Sequence, residues 1–411
     1  MPLSMPVTHL TLIGIIASLM TCNLNAAHAA PTASETDDGK SAALSSEKPS
    51  PTDAAVIRQA AAKAVERGLR FLAKRQDEAG AWQAFDKPHP AVSALVIKAL
   101  AQSSSFGPDH PVVRRGTRYL LQHVQPDGGI YEKGGGKRNY HTSVALMALS
   151  SLPRDKHAET IHNAQRFLID LQWDGGEGHE QNSSWYGGAG YGSHKRPDLS
   201  NTQIMLEALK QSGLPKDDPA YQRGLVFISR CQMLSGANDQ LFAAESDDGG
   251  FIYTAANDGE SKAGTTVSDG KPQLRSYGSM TYAGFKSLLY AGLTEEDPRV
   301  RAAVKWIGTY YTLDANPNMP DAASQQGLYY YFHTFARALH AWGKAEVVDD
   351  LGLPHDWRAD LSRALVRRQR DDGSWVNAED RWYEGNADLV TAYSVLALQT
   401  VLADIARDDS E

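Results

Sequence analysis

The stretch QRDDGSW at residues 369–375 marks the point where one helix pattern ends and another begins. Glycine supplies the positive φ that stops a helix, and aspartate bonds to nearby backbone groups. We therefore interpret this turn as structural rather than as a metal site. Related glycine-containing turns occur at residues 76–82, 127–131, 174–176 and 247–251.

Two kinds of helix alternate along the chain. The first kind carries a small, an aromatic and an aliphatic residue at matching places, so a neighbouring backbone can approach closely; it recurs at residues 67–72, 115–120, 163–168, 223–228, 302–307 and, more weakly, 361–366. The second kind is apolar nearly all round, as in helices that are buried on most sides; it occupies residues 91–101, 141–150, 200–211, 280–292, 332–343 and 389–402. We predict an all-α fold, an (α/α)6 toroid of six helical-hairpin repeats with the second helices inside. An open stack of the same hairpins is the alternative.

The N-terminal segment is typical of an export signal. Residues 1–29 contain no Lys, Arg, Asp or Glu, and residues 10–22 form an apolar run of signal-peptide length. We predict a signal peptide at residues 1–29, a disordered linker at 30–52 and the toroid at 53–411. The expected location is the periplasm or the exterior, with no integral membrane span after signal removal. A lipoprotein anchored at Cys22 is less favoured because Thr21 precedes the cysteine.

Composition narrows the classes of partner. The formal net charge of −8 disfavours a nucleic-acid binder, because neutralising phosphates requires a concentrated basic surface. No metal or cofactor is predicted. The expected partner is a small-molecule lipid or glycan, or an envelope protein.

Unusual loops precede the predicted inner helices, and a closed ring brings these loops together at one mouth. Carboxylates in apolar surroundings have raised pKa values that suit acid–base catalysis. The predicted catalytic residues are Asp198, Asp380, Glu384, Asp388 and His141, with His333 as an alternative. Aromatic rings offer apolar faces with polar tips, and arginine suits anionic groups. The predicted ligand-binding residues are Tyr140, Trp185, Tyr191, Arg196, Arg275, Tyr277, Tyr282, Tyr330, His333, Trp382 and Tyr383.

The paired helices and their Gln-Gly-Trp turns resemble the repeats of the terpene cyclase and protein prenyltransferase superfamily. Residues 369–375 are the best match to the Gln-Trp motif of squalene–hopene cyclases, and the resemblance covers roughly residues 55–405. The combination of an export signal with a single toroid is similar to the secreted prenyltransferase/squalene-oxidase-repeat proteins, for which the run at residues 275–282 is typical. The resemblance implies an α/α toroid.

The same resemblance implies less about activity. Class II terpene cyclases protonate an alkene with the central Asp of an Asp-x-Asp-Asp-Thr motif. Residues 198–202 match this motif at Asp198 and Thr202, but Ser200 stands where the proton donor is expected. A serine hydroxyl is too weak an acid for that step. Protein prenyltransferases require zinc held by Asp, Cys and His, whereas Cys231 lies on a predicted outer helix.

Two functions therefore stay open. In the first, the exported toroid binds a hydrophobic or glycan ligand at the rim of its inner helices without catalysis. In the second, it is an enzyme that acts on an isoprenoid lipid or a polysaccharide through rim carboxylates. Two carboxylates facing each other across the cavity would favour glycan chemistry. An apolar, aromatic cavity would favour an isoprenoid.

Overall fold

The computed structural model describes residues 51–192, 195–268 and 270–408. The predicted signal peptide and residues 30–50 of the predicted linker lie outside these ranges. Within them the chain forms twelve α-helices: α1 Pro51–Lys74, α2 Pro90–Ala101, α3 Pro111–Leu121, α4 Arg138–Leu149, α5 Ala158–Asp170, α6 Leu199–Gln211, α7 Pro219–Cys231, α8 Gly278–Tyr290, α9 Pro298–Thr309, α10 Leu328–Trp342, α11 Trp357–Arg368 and α12 Ala387–Asp408. Three antiparallel hairpins accompany them: β1 Gln83–Ala84 with β2 Lys87–Pro88, β3 Thr265–Ser268 with β4 Lys271–Leu274, and β5 Glu346–Val348 with β6 Pro354–Asp356.

The six even-numbered helices form a closed inner ring. Each contacts the next even-numbered helix, and α12 contacts α2 to complete the circle. These helices are buried on nearly every side in their central turns, as their sequences predict. The toroid is thus confirmed, and the open-stack alternative is wrong.

The odd-numbered helices form the outer layer. Helices α3, α5 and α9 pack mainly against the inner helix that precedes each of them in the chain, α7 contacts both α6 and α8, and α1 packs mainly against α12 and α11. The first and last repeats are therefore in direct contact. Several outer helices begin with proline at the first turn after a capping side chain, such as Pro219 after Asp218 and Pro298 after Asp297. Proline is favoured there because its missing N–H would have no helical partner.

At the end of several outer helices, a glutamine side chain forms hydrogen bonds that join two successive repeats. The Gln369 amide donates to the Gly373 carbonyl of its own turn at 3.0 Å and to the Ala64 carbonyl of α1 at 2.9 Å. Gln76, Gln172 and Gln232 each bridge their own turn and the next outer helix in the same way. Because Gln369 reaches α1, its hydrogen bonds also close the ring.

The turn glycines are required by two separate constraints. Gly373 has φ +92°, and an added Cβ would lie 2.6 Å from the Arg67 carbonyl oxygen of α1. Gly80 and Gly249 face Arg115 and Ala302 in the same manner. Glycine is needed both for the left-handed conformation and for the close approach of the next outer helix.

Helix α12 is long and apolar enough to cross a membrane by composition, and 72% of its apolar window is buried within the described structure. That burial comes from α1, α2, α10 and α11, which pack around it. We therefore interpret α12 as a core helix of the ring.

Candidate functional site

A cavity lies on the ring axis where the inner helices begin. It encloses about 1070 Å³ of empty space, counting its open mouth. All six inner helices contribute early residues to its wall: Ala91 and Val92, Tyr140, Ser200 and Asn201, Ser279 and Met280, Tyr330, and Leu389 with Tyr393. The loops add Phe85, Lys137, Tyr191, Tyr253, Lys262, Tyr277, Trp382, Tyr383 and Glu384. The predicted rim therefore exists, at the predicted end of the inner helices.

Tyrosine hydroxyls form hydrogen-bonded pairs in the wall of the cavity. The hydroxyls of Tyr140 and Tyr393 lie 2.9 Å apart, and the Tyr330 hydroxyl lies 3.0 Å from Ser200 Oγ. Gln203 also donates to the Tyr330 hydroxyl at 2.9 Å. Burial raises the pKa of Tyr140 and Tyr330 above the ordinary value, so both phenols stay neutral. The wall is thus aromatic, uncharged and internally bonded here.

Two side-chain oxygens near this wall accept no hydrogen bond. The Asn201 amide nitrogen donates to Asp198 at 2.8 Å, which leaves Asn201 Oδ1 without a partner in the described structure. Gln203 Oε1 is in the same situation, because its amide nitrogen is committed to Tyr330. Both residues are buried. A ligand hydroxyl can satisfy acceptors of this kind.

Exposed aromatic rings surround the mouth. Phe85, Tyr383 and Tyr191 are 55%, 46% and 40% exposed although each lines the cavity. The rings of Phe85 and Tyr383 meet edge to face with centroids 4.4 Å apart. Phe85, Trp382 and Tyr383 also have φ of 56°, 57° and 69°, in the left-handed region that bulky residues rarely adopt. Such strain is retained only where the surrounding structure enforces it.

Glu384 is the one carboxylate among the cavity-lining residues of the described chain. It is 1% exposed. Its Oε1 accepts the backbone N–H of Tyr330 at 2.7 Å, and its Oε2 accepts Asn377 Nδ2 at 2.7 Å. Burial raises the pKa of Glu384 to about 7, against the lowering effect of these hydrogen bonds. The carboxyl group can therefore hold or release a proton near neutral pH. It also accepts a backbone N–H that has no helical partner in the first turn of α10.

The other predicted acid–base carboxylates lie off the cavity wall. Asp198 is buried as the N-cap of α6, where it accepts the Asn201 N–H at 2.8 Å, and burial raises its pKa to about 6. Asp388 is buried against Arg75, with Oδ1 2.8 Å from Arg75 Nε. Asp380 is exposed and accepts the Gly385 N–H. The structure brings none of these three together with Glu384 on the cavity surface.

The two histidines are also placed apart from the cavity surface. His141 is buried with its ring centroid 5.0 Å from that of His89, and burial lowers its pKa to about 3. His333 lies beyond the tyrosine wall, where it packs on Tyr393 and lines a second, more polar cavity with Arg337. Both imidazoles are uncharged at neutral pH. Their catalytic roles stay predictions, because neither imidazole lies on the surface of the axial cavity.

Of the predicted ligand-binding residues, six line the cavity: Tyr140, Tyr191, Tyr277, Tyr330, Trp382 and Tyr383. The rest are elsewhere. Tyr282 is buried against Tyr331 and Phe335, and Trp185 stacks on His179. Arg196 pairs with Glu260. Arg275 is partly buried, and its Nε lacks a partner in the described chain.

Sequence reasoning missed several lining residues. Tyr253 lies in the long insertion between α7 and α8, and Tyr393 lies in the second turn of α12. Tyr393 is the one aromatic residue of α12, a signal that could have marked a wall position. Phe85 and Lys137 belong to the loops before α2 and α4, and the approach of both residues to Tyr383 of the last repeat depends on the closed ring. Among the described residues no group of three His, Cys, Asp or Glu side chains is placed to hold a metal ion.

Sequence comparison finds a match to a family profile and a match to a curated relative, each over less than half of the chain. The family profile of the squalene-hopene cyclase C-terminal domain matches residues 83–254. A probable squalene–hopene cyclase of Sinorhizobium fredii (strain NBRC 101917 / NGR234) is 27% identical over 202 residues, which cover 44% of this chain and 31% of the relative. The matched part thus spans about a third of the length of that curated relative.

Comparison with solved structures finds the same fold at low identity. The type II terpene cyclase MstE from Scytonema superposes with a TM-score of 0.53 at 14% identity, covering 84% of this chain and 99% of MstE. A family 76 glycoside hydrolase from a bovine Bacteroides thetaiotaomicron strain gives a TM-score of 0.53 at 9% identity, covering 85% of this chain and 78% of the hydrolase. Because these neighbours differ in activity, the superpositions establish the fold alone.

Proposed function

We propose that this chain, which is similar to terpene cyclases in part of its sequence and in its fold, binds an isoprenoid-type lipid in the axial cavity. The observation that carries this proposal is the composition of the cavity wall. Tyrosine, tryptophan and phenylalanine rings from the loops and helix starts alternate there with Val92, Met280 and Leu389. Such a surface gains free energy by covering hydrocarbon, and its two unpaired acceptors, Asn201 Oδ1 and Gln203 Oε1, suit one ligand hydroxyl better than the many hydroxyls of a sugar.

The charge arrangement also favours lipid over glycan. Glycoside hydrolysis requires two carboxylates on either side of the scissile bond. Here Glu384 is alone on the cavity surface, while Asp198 and Asp388 are committed to Asn201 and Arg75. A variant of MstE has been solved in complex with geranylgeranyl dihydroxybenzoate as substrate. That ligand supports a lipid of the same class for this chain, more than it supports a glycan or an envelope protein.

Catalysis is a second candidate, and Glu384 is the observation that favours it. Ser200 lies on the cavity wall and bonds with Tyr330, so the position of the cyclase proton donor faces the ligand space without a carboxyl group. Glu384, with a pKa near 7, exchanges protons readily at neutral pH but is too weak an acid to protonate an isolated alkene. An enzymatic role would therefore be proton abstraction or transfer, with Glu384 as the base.

We also propose that the toroid works outside the cytoplasm. This part of the proposal rests on the charge-free segment at residues 1–29 and its apolar run. Cell fractionation of a tagged full-length chain tests it. Recovery of the unprocessed chain in the cytoplasm would contradict it.

The lipid proposal is tested by titrating the purified protein with geranylgeraniol while following tryptophan fluorescence, because Trp382 lines the cavity. We expect a saturable signal. Tyr383→Ala should weaken binding by about five- to tenfold, which corresponds to roughly 1–1.4 kcal/mol of lost ring contact. Leu351→Ala is the matched control, since Leu351 is an exposed apolar residue outside the cavity lining.

A linear, non-saturating signal in the wild type would overturn the lipid proposal. Equal losses in Tyr383→Ala and Leu351→Ala would place the binding elsewhere on the surface. The catalytic candidate is tested by mass spectrometry of bound lipid after incubation. Conversion by the wild type but not by Glu384→Gln is the expected result if Glu384 is the base, and unchanged lipid in both would remove that candidate.

A further inference from the structure

Lys137 occupies a distinctive place at the mouth of the cavity. It lines the cavity and is the N-cap residue of α4. An ammonium group is a donor only and cannot accept the free N–H groups at the start of a helix, so the Lys137 side chain makes no capping hydrogen bond. The partial positive charge at the start of α4 lies at the same place, so two positive features coincide at the mouth.

Aromatic faces hold the ammonium group in position. Lys137 Nζ lies 4.8 Å from the Tyr383 ring centroid and 6.0 Å from that of Phe85. Cation–π contacts of this kind orient a lysine but leave its charge unneutralised. The two rings belong to the residues with left-handed backbone conformations described above. Strained backbone therefore holds the rings that position Lys137.

The other lysine of the cavity wall is neutralised, whereas Lys137 is not. Lys262 forms an ion pair with Glu260, which also takes Arg196. Lys137 has no ion pair with any carboxylate of the described chain. The acidic residue of its own loop, Glu132, pairs instead with Lys87 at 3.3 Å. The mouth of the cavity thus carries one positioned, uncompensated positive charge above an uncharged aromatic wall.

We propose that Lys137 binds an anionic group, phosphate or carboxylate, at the end of the lipid that remains at the mouth. This inference rests on the proposed function and adds the chemical class of the ligand. The ligand is an isoprenoid with a charged terminus, bound with its hydrocarbon among the tyrosines. Its charged end stays near solvent, where the cost of removing an anion from water is small.

The experiment compares geranylgeraniol with geranylgeranyl phosphate, which share a hydrocarbon tail and differ in charge. We expect the wild type to bind the phosphate at least about tenfold more tightly at low salt, and this preference should shrink as ionic strength rises. Lys137→Met should abolish the preference, because it should weaken binding of the phosphate far more than binding of the alcohol. Lys137→Arg retains the charge and should keep most of the preference.

Lys133→Met is the matched control, because Lys133 lies on the same loop but is exposed and outside the cavity lining. It should retain the wild-type preference. Equal losses of preference in Lys133→Met and Lys137→Met would overturn the assignment to Lys137, because they would indicate general surface attraction. Binding of alcohol and phosphate with equal affinity in the wild type would overturn it too, while leaving the proposed function intact. Failure of both lipids to bind would reject the proposed function itself.

Free inorganic phosphate distinguishes a lipid headgroup from an independent anion. Added at the concentrations used for geranylgeranyl phosphate, it should not displace the bound lipid, because it lacks the tail that the aromatic wall covers. Displacement by inorganic phosphate at those concentrations would contradict the assignment to a lipid terminus.

Discussion

Glu384 illustrates how a single residue acquires its properties from distant parts of the chain. It follows an irregular turn in sequence, and its carboxylate accepts N–H groups at the start of α10. Its sequence neighbourhood predicted a position on the rim. Its burial and its raised pKa depend on Tyr330 and Asn377, which belong to other segments.

The raised pKa of Glu384 predicts a pH dependence of stability. The folded pKa of about 7 exceeds the ordinary value of 4.5, so the unfolded chain releases this proton first. The free energy of unfolding should therefore fall as pH rises between those values, by roughly 3 kcal/mol for this group. Glu384→Gln cannot ionise and should flatten the curve.

Urea unfolding at pH 5, 6, 7 and 8 measures this effect. Asp198, with a folded pKa of about 6, contributes a slope of the same sign at lower pH. The flattening in Glu384→Gln should therefore be clearest between pH 6 and 7. An unchanged slope in that interval would mean that Glu384 ionises normally in the folded protein.

At the scale of the element, a hydroxyl in the first turns of the inner helices anchors the preceding turn. Thr391 Oγ1 of α12 accepts the Trp375 N–H at 3.1 Å. Hydroxyls of four other inner helices accept backbone N–H groups in the same way, at Ser93, Thr142, Thr202 and Thr281. The threonine of residues 198–202 therefore reflects the repeat, and its match to the cyclase motif carries no evidence of acid catalysis.

Two threonines of α12 provide a matched test of this anchor. Thr391→Val leaves the buried Trp375 N–H without a partner and should lower the free energy of unfolding by about 1–3 kcal/mol. Thr400 bonds only within its own helix, to the Leu396 carbonyl, so Thr400→Val should cost roughly 0.5 kcal/mol or less. Chemical denaturation measures both, and equal costs would show that the hydroxyl does not anchor the turn.

At the scale of the whole molecule, contacts between the first and last repeats make the ring one structure. The turn that follows α11 contacts the backbone of α1 at Ala64 and Arg67, and Trp375 packs against Gly68. A closed ring has no terminal repeat that can fray without disturbing its neighbours on both sides. We therefore expect the toroid to unfold as one cooperative unit.

Gly373→Ala tests ring closure. The new Cβ would press on the Arg67 carbonyl, so the variant should lose about 3 kcal/mol or more. Gly352→Ala is the control, because Gly352 also has positive φ but no atom within 4 Å of an added Cβ, and it should lose only about 1–2 kcal/mol. Hydrogen exchange should accelerate in α1 and around the ring in Gly373→Ala. Acceleration confined to residues 369–375 would contradict cooperative closure.

The repeat architecture was predictable from sequence because it depends on local properties. Helical periodicity, turn glycines and the contrast between amphipathic and apolar helices are all present within about 50 residues of chain, and they define six hairpins and an inner layer. The candidate site was only partly predictable. Tyr330, Tyr383 and Glu384 were expected on the rim and lie there. The residue that neutralises Asp388, however, comes from another repeat, and so does the residue that pairs with Glu132, the acidic side chain in the loop of Lys137. Arg75 and Asp388 are 313 positions apart, so their pairing exists only once the ring has closed. The six hairpins and their inner layer are therefore local information, whereas the closure of the ring, the Arg75–Asp388 pair and the placement of Tyr383 against Lys137 are decided by the tertiary structure.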